Sequence, residues 1–164
     1  MLIAHYVGSA KPGFLPWLGW HATVLVQKSP YGQCTHTEAI HALHDDGTVT
    51  IASSSIHDKG VRRKQTALTA GNWVITDVPQ WDVRRSIDWF DAAIAKGMRY
   101  DMTGALATYL PGHEDDDKVF CTESVLAPFI KAAHYYGPAI GLSICLSLGT
   151  DVTDDFFQSK TLVN

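Results

Sequence analysis

In the first half of the chain, apolar residues recur at short, strand-like spacing between clusters of turn formers. The segments THTEAIHAL (35–43) and TVTIASSS (48–55) are rich in strand-favouring residues, and the HDDG between them supplies Asp46-Gly47, a pair suited to a tight hairpin. WVITDV (73–78) reads as a further strand. After Pro79 the period lengthens. WDVRRSIDWFDAAIAKGM spaces Trp81, Ile87, Phe90, Ala93 and Ile94 as one stripe of an amphipathic helix ending near Gly97. A shorter helix is predicted after Tyr100-Asp101, and the acidic loop GHEDDDK (112–118) then leads to VFCTESVLAPFIKAA (119–133). There Val125, Leu126, Phe129, Ile130 and Ala133 predict a helix starting at Cys121. Pro128 must kink or end it, because proline lacks a backbone donor. LPWLGWHATVLVQ (15–27) suits either a strand or a helix. Strands first and helices afterwards predict an α+β fold, an antiparallel sheet packed with helices. No repeat, low-complexity tract or linker divides the chain, so residues 1–164 are expected to form a single domain.

Composition narrows the function classes. With 164 residues, 46% of them apolar and 18% charged, the chain can bury a core. A net charge of −4 gives no basic surplus for phosphate neutralisation, so a nucleic-acid partner is not expected. KGVRRK (59–64) is the only basic cluster and reads as a short solvated turn. The N-terminus MLIAHYVGSAKPG lacks the pattern of a signal peptide, and AIGLSICLSLG (139–149) is too short to be a transmembrane segment. A soluble protein, cytoplasmic when made, is the expectation.

The three cysteines, Cys34, Cys121 and Cys145, contain no CxxC pair, which argues against a disulfide framework and a four-cysteine zinc site. Cys121 stands out because a cysteine opening a helix faces unpaired backbone N–H groups that favour its thiolate. A nucleophilic thiol needs a base. His36 is the best candidate, since on a strand the side chains of His36, Glu38 and Ile40 share one face and set a carboxylate beside an imidazole. His41 falls on the opposite face, His44 and His57 lie at turns, and His5, His21, His113 and His134 have no obvious partner. His36-Thr37-Glu38 also satisfies the H-x-E half of the zinc deaminase signature, but the required P-C-x-x-C is missing. A metal site of Cys34, His36, His41 and His44 would draw ligands from both faces of a strand, so neither metal nor cofactor is expected.

The run YGQCTHTEAIHALHDDGTVTIASSSIHDKGVRRKQ, then Trp73, YDMTGAL and FCTES, resembles the circularly permuted papain-like cysteine hydrolases related to the NlpC/P60 proteins, particularly a small group frequent in phage genomes. That group reads Ser-His-x-Glu, a strand of serines, Asp-Gly-Gly-Val-Arg, Tyr-Asp and Cys-Ser-Glu in this order. The resemblance covers about residues 31–127. Here Thr35 stands for the first serine, Lys59 for a glycine and Thr122 for the serine after the cysteine.

Carried over by position, the resemblance implies a permuted papain-like fold with Cys121 as nucleophile and His36 as base. The group orienting the imidazole is Glu38 or one of Ser53, Ser54 and Ser55; a carboxylate stabilises imidazolium better than a hydroxyl. A purely structural role for Glu38 would be an ion pair with Arg62 or Arg63. Tyr100 and Asp101 match the group's Tyr-Asp pair, as substrate contacts or as a packing residue and a helix cap, and Glu123 is read as a helix-dipole residue. The implied reaction is hydrolysis of an amide bond through a thioester. A peptidoglycan-like peptide is the leading substrate and an acyl-lipid the alternative, through an acyltransferase or lipid hydrolase. A non-catalytic phage structural or binding protein of the same fold is the reading outside enzymology.

Overall fold

The structure is a computed structural model and describes residues 1–7, 34–106, 116–131, 133, 136 and 138–161. Eight strands form one sheet: β1 (Leu2–Tyr6), β2 (His36–Leu43), β3 (Val49–Ser55), β4 (Gly60–Thr66), β5 (Trp73–Asp77), β6 (Arg99–Tyr100), β7 (Lys118–Val119) and β8 (Thr150–Asp151). Their spatial order is β7-β6-β4-β3-β2-β1-β5-β8. Every pairing is antiparallel except β6 with β7, so the molecule is α+β with a mostly antiparallel sheet.

Local chemistry sets the β2–β3 hairpin. Asp46 Oδ1 accepts from the Thr48 backbone N–H at 2.9 Å, and Gly47 takes φ 77°, a left-handed conformation that a side chain would disfavour. Between Ile40 and Ala42 the ladder shifts register. This bulge lets His41 turn to helix α1 (Val83–Lys96), where its Nε2 lies 3.0 Å from Ser86 Oγ. The α1 helix starts at Asp82, whose side chain accepts from the Arg84 N–H, and ends at Gly97, as the periodicity predicts. Its buried positions are Ser86, Phe90 and Ala93, whereas Ile94 is 40% exposed, so the buried stripe is narrower than the sequence pattern.

One expectation needs correction. KGVRRK is not a solvated turn: the turn ends at Lys59, and Gly60–Thr66 form β4 inside the sheet, with Arg62 and Arg63 both in ion pairs. The helix starting at Cys121, α3 (Cys121–Leu126), ends before Pro128 as expected, so Phe129 lies beyond it and stacks on Trp81 with ring centroids 4.6 Å apart. The short helix expected after Asp101 is α2 (Met102–Leu106), capped by Asp101 Oδ1 accepting from the Gly104 N–H at 2.8 Å. Two C-terminal helices follow, α4 (Pro138–Leu148) and α5 (Thr153–Thr161). Segment 15–27, residues 112–115 of the acidic loop, His21, His113 and His134 lie outside the described residues.

The core has two main parts. Ile3, Ala39 and Ala52 pack with Phe90 of α1, Val125 and Leu126 of α3, and Cys145 of α4. Ala4, Ile40, Val49, Ile51 and Ile75 pack with Leu68 and with Phe156 of α5. Alternate residues of β1 and β2 enter different clusters, as the two-residue period of a strand requires of a sheet covered on both faces. A side chain at Gly141 of α4 would bring its Cβ within 2.4 Å of Thr122 Cγ2, so glycine lets α4 sit against the start of α3. No helix among the described residues is long and apolar enough to cross a membrane.

Candidate functional site

The start of β2 and the start of α3 meet at one corner. Alternation along β2 puts His36 and Glu38 on one face, and His36 Nε2 donates to Glu38 Oε1 at 2.8 Å. The Cys121 thiol lies beside the His36 side chain, close enough for each group to shift the other's ionisation. With Nε2 facing Glu38, Nδ1 is the nitrogen left for the sulfur. The order is therefore thiol, imidazole, carboxylate.

Polar contacts on both sides hold α3 in place. Thr37 and Thr122 place their hydroxyls 3.3 Å apart, linking β2 to α3. The Ser124 hydroxyl donates to the Cys121 carbonyl at 2.7 Å and accepts from the Ser54 backbone N–H at 3.0 Å, linking α3 to β3. The serines of β3 therefore support the cysteine helix. Ser53 Oγ reaches the Cys121 carbonyl at 3.5 Å, and Ser55 bonds Asp58. Glu38 is the residue that contacts the imidazole.

Burial alone would hold both Cys121 and His36 neutral, and their mutual contact reverses that. Burial pushes the Cys121 thiol up, but the His36 side chain, a backbone bond from Thr37 and the Thr122 hydroxyl bring it below its ordinary value. Burial pushes His36 down, but Glu38 and Cys121 raise it to about 10. Glu38 stays below the ordinary carboxylate range despite its burial, held there by His36 and Arg62. Both shifts favour the charged form of each group. The thiol is 3% exposed, while the His36 side chain is 27% exposed and opens the corner to solvent.

The other cysteines are ordinary buried thiols. Burial first, and then the neighbouring Cys121 charge, push Cys34 upward, and burial pushes Cys145 to about 12. His41 bonds Ser86, and His44 Nε2 lies 2.8 Å from Thr50 Oγ1. Among the described residues no cluster of three His, Cys, Asp or Glu side chains is arranged to hold a metal ion.

Of the two ion-pair partners that the sequence offers Glu38, Arg62 is the one used: it donates through Nη1 to Glu38 Oε2 at 2.7 Å and through Nη2 to Glu38 Oε1. Asp58 accepts from Arg62 Nε at 2.9 Å. The available signal was the alternation of β4 against β3, which pairs Arg62 with Ser53. Tyr100, the packing or substrate-contact candidate, is half-buried and close enough to Cys121 for a thiolate there to help raise its phenol above the ordinary value, after desolvation itself. Glu123 Oε2 accepts from the Phe120 backbone N–H at 3.3 Å, so it caps the first turn of α3.

No family model, curated protein or solved structure matches this chain.

Proposed function

We propose that the protein is a cysteine hydrolase that cleaves an amide bond through a thioester, on a circularly permuted papain-like fold. The observation that carries this reading is His36 set between the Cys121 thiol and Glu38, 2.8 Å from the carboxylate, with the thiol lowered and the imidazole raised. Most buried cysteines show the opposite, as Cys34 and Cys145 do. Two further features support the fold. The histidine strand precedes the cysteine helix, the order of the permuted group. Lys59 has φ 63°, a left-handed conformation, at the position where that group has glycine.

The chemistry follows from the ion pair. The Cys121 thiolate attacks the substrate carbonyl carbon and forms a C–S bond, while the carbonyl π electrons move to oxygen. The Cys121 backbone N–H, at the first position of α3, is the nearest main-chain donor for that oxyanion. Collapse expels the amine, which takes its proton from the His36 imidazolium and leaves a thioester. Neutral His36 then takes a proton from water as the hydroxyl adds to the thioester, and collapse releases the acid and the Cys121 thiolate, which restores the ion pair with the His36 imidazolium. Glu38 stays ionised throughout and holds the ring in orientation.

A peptidoglycan-like peptide is the proposed substrate class. Purified peptidoglycan fragments and phospholipid vesicles, each incubated with the protein and analysed by mass spectrometry, test it. New amine and carboxylate termini in the fragments, absent with Cys121→Ser, are the expected result. Release of fatty acid, or acyl transfer from lipid, would move the assignment to a lipid hydrolase or acyltransferase. No turnover of either substrate, together with an unactivated Cys121, would leave a binding protein.

A further inference from the structure

Glu38 is 3% exposed, and a carboxylate so placed takes up a proton unless cations hold it ionised. His36 engages Oε1 only, and a single contact leaves the carboxylate free to rotate about its last bond. Arg62 supplies what is missing. Its two terminal nitrogens grip both Glu38 oxygens, and its Nε–H is anchored on Asp58 at 2.9 Å. Nη1 also reaches the Ser53 carbonyl at 3.3 Å, so the guanidinium is fixed by β2, β3 and the turn between β3 and β4. The Arg62 side chain is itself only 14% exposed.

Charge balance gives this clamp a consequence at the sulfur. In order of contact the corner runs thiolate, imidazolium, carboxylate and guanidinium, two negative and two positive groups, and beyond them the more exposed Asp58 is balanced by Lys64 at 3.8 Å. Without Arg62 the thiolate form would leave a net negative charge in a buried corner, and the thiol would have to hold its proton or Glu38 gain one. Either outcome weakens the thiolate. Direct repulsion between Arg62 and the imidazolium acts the other way, but it operates across the intervening carboxylate, whereas Glu38 touches the ring at 2.8 Å.

We infer that Arg62, anchored by Asp58, is a positioning residue of the site: it fixes Glu38 as an anion and through it sets the ionisation of Cys121. The inference rests on the cysteine-hydrolase reading above. Its test is the rate of iodoacetamide labelling at Cys121 against pH, read by peptide mass spectrometry, in the intact protein and in Arg62→Met, Arg62→Lys, Glu38→Gln and the Glu38→Gln/Arg62→Met double variant. Arg62→Met is expected to move the labelling midpoint upward by about one pH unit or more. Arg62→Lys keeps the charge but loses the two-armed grip, and is expected to recover part of that shift. The double variant is expected to shift by clearly less than the sum of the two single shifts, the signature of a residue acting through its neighbour. Thermal melts establish that each variant is folded, and Arg62→Lys carries the test if Arg62→Met does not fold. A folded Arg62→Met or Arg62→Lys with the wild-type profile would overturn the inference, as would strict additivity in the double variant. Wild-type Cys121 that labels no more readily than Cys145 would instead overturn the hydrolase reading itself.

Discussion

His36 and His5 stand on neighbouring strands, and each is linked to a buried cysteine. His36 lies close enough to Cys121 for each to shift the other, while His5 Nε2 lies 3.2 Å from the hydroxyl of Thr76, whose side chain also acts on the Cys145 thiol. The two corners ionise in opposite senses. Burial drives His5 down to about 3, only partly opposed by Asp151, and drives Cys145 up to about 12. At the other corner His36 rises to about 10 and Cys121 falls. Burial acts in the same direction at both. The differences are the thiol beside the imidazole and a clamped carboxylate, Glu38, in hydrogen-bond contact with the ring. A buried His–Cys pairing is thus inert by default and becomes reactive when its charges alternate at contact distance.

The largest expected effect comes from removing a reacting group. Cys121→Ser and His36→Ala should each lower turnover of a verified substrate by about 10²-fold or more while circular dichroism and melting remain near wild type. Substantial activity in either variant would end the comparison, because the corner would then be as inert as that of His5. Removing the orienting carboxylate should make the first corner resemble the second. Glu38→Gln is expected to lower kcat by about tenfold or more and move the acid limb of the pH–rate profile upward, toward the behaviour of Cys145. The alkaline limb, set in the wild type near the His36 value of about 10, should move down.

The His5 corner makes a stability claim instead. Its folded pKa of about 3 lies below the unfolded value near 6.5. Between those values the unfolded chain binds a proton that the folded protein refuses, so stability is retained above about 6.5 and lost as pH falls through that window. The slope from this residue is about 1.4 kcal/mol per pH unit, and denaturant unfolding of His5→Gln at several pH values should show that much less acid sensitivity. His41, lowered to about 4 by burial and Arg63, contributes a similar slope that should persist in the variant. An unchanged slope in His5→Gln would mean that His5 is not held neutral. The smallest effect concerns the turn that delivers Arg62. Lys59→Gly should relieve the left-handed strain at φ 63°, offset in part by glycine's entropy, and raise stability by about 0.5–1 kcal/mol without altering the Cys121 profile.

Features encoded within a few residues were readable from the sequence. The β2–β3 hairpin, the start and stop of α1, the Asp101 cap and the shared face of His36 and Glu38 all follow from turn chemistry, capping residues or a period of two. Features set by distant partners were not. β1 is a short run between β2 and β5, and β6, β7 and β8 are two-residue strands that exist only because a neighbouring strand accepts them. Arg62 was legible only as one of two possible ion-pair partners of Glu38, and its strand read as a turn for a related reason. Its strand, GVRRKQT, has little apolar alternation, and the buried carboxylate that draws it inward lies two strands away. Phe129 and Ile130 matched the period of α3, but Pro128 ended the helix first.

The central claim is that Cys121 and His36 form an ion pair while the other described thiols stay protonated. Ultraviolet thiolate absorbance measured against pH, as the difference between wild type and Cys121→Ser, tests it most directly, because it needs neither a substrate nor access of a reagent to the sulfur. The account expects a full thiolate signal from Cys121 well below an ordinary thiol's midpoint near 8.5, already present at about pH 6, and its loss to higher pH in His36→Ala. A difference signal that rises only near or above 8.5, and is unaffected by His36→Ala, would contradict the ion pair and the hydrolase built on it.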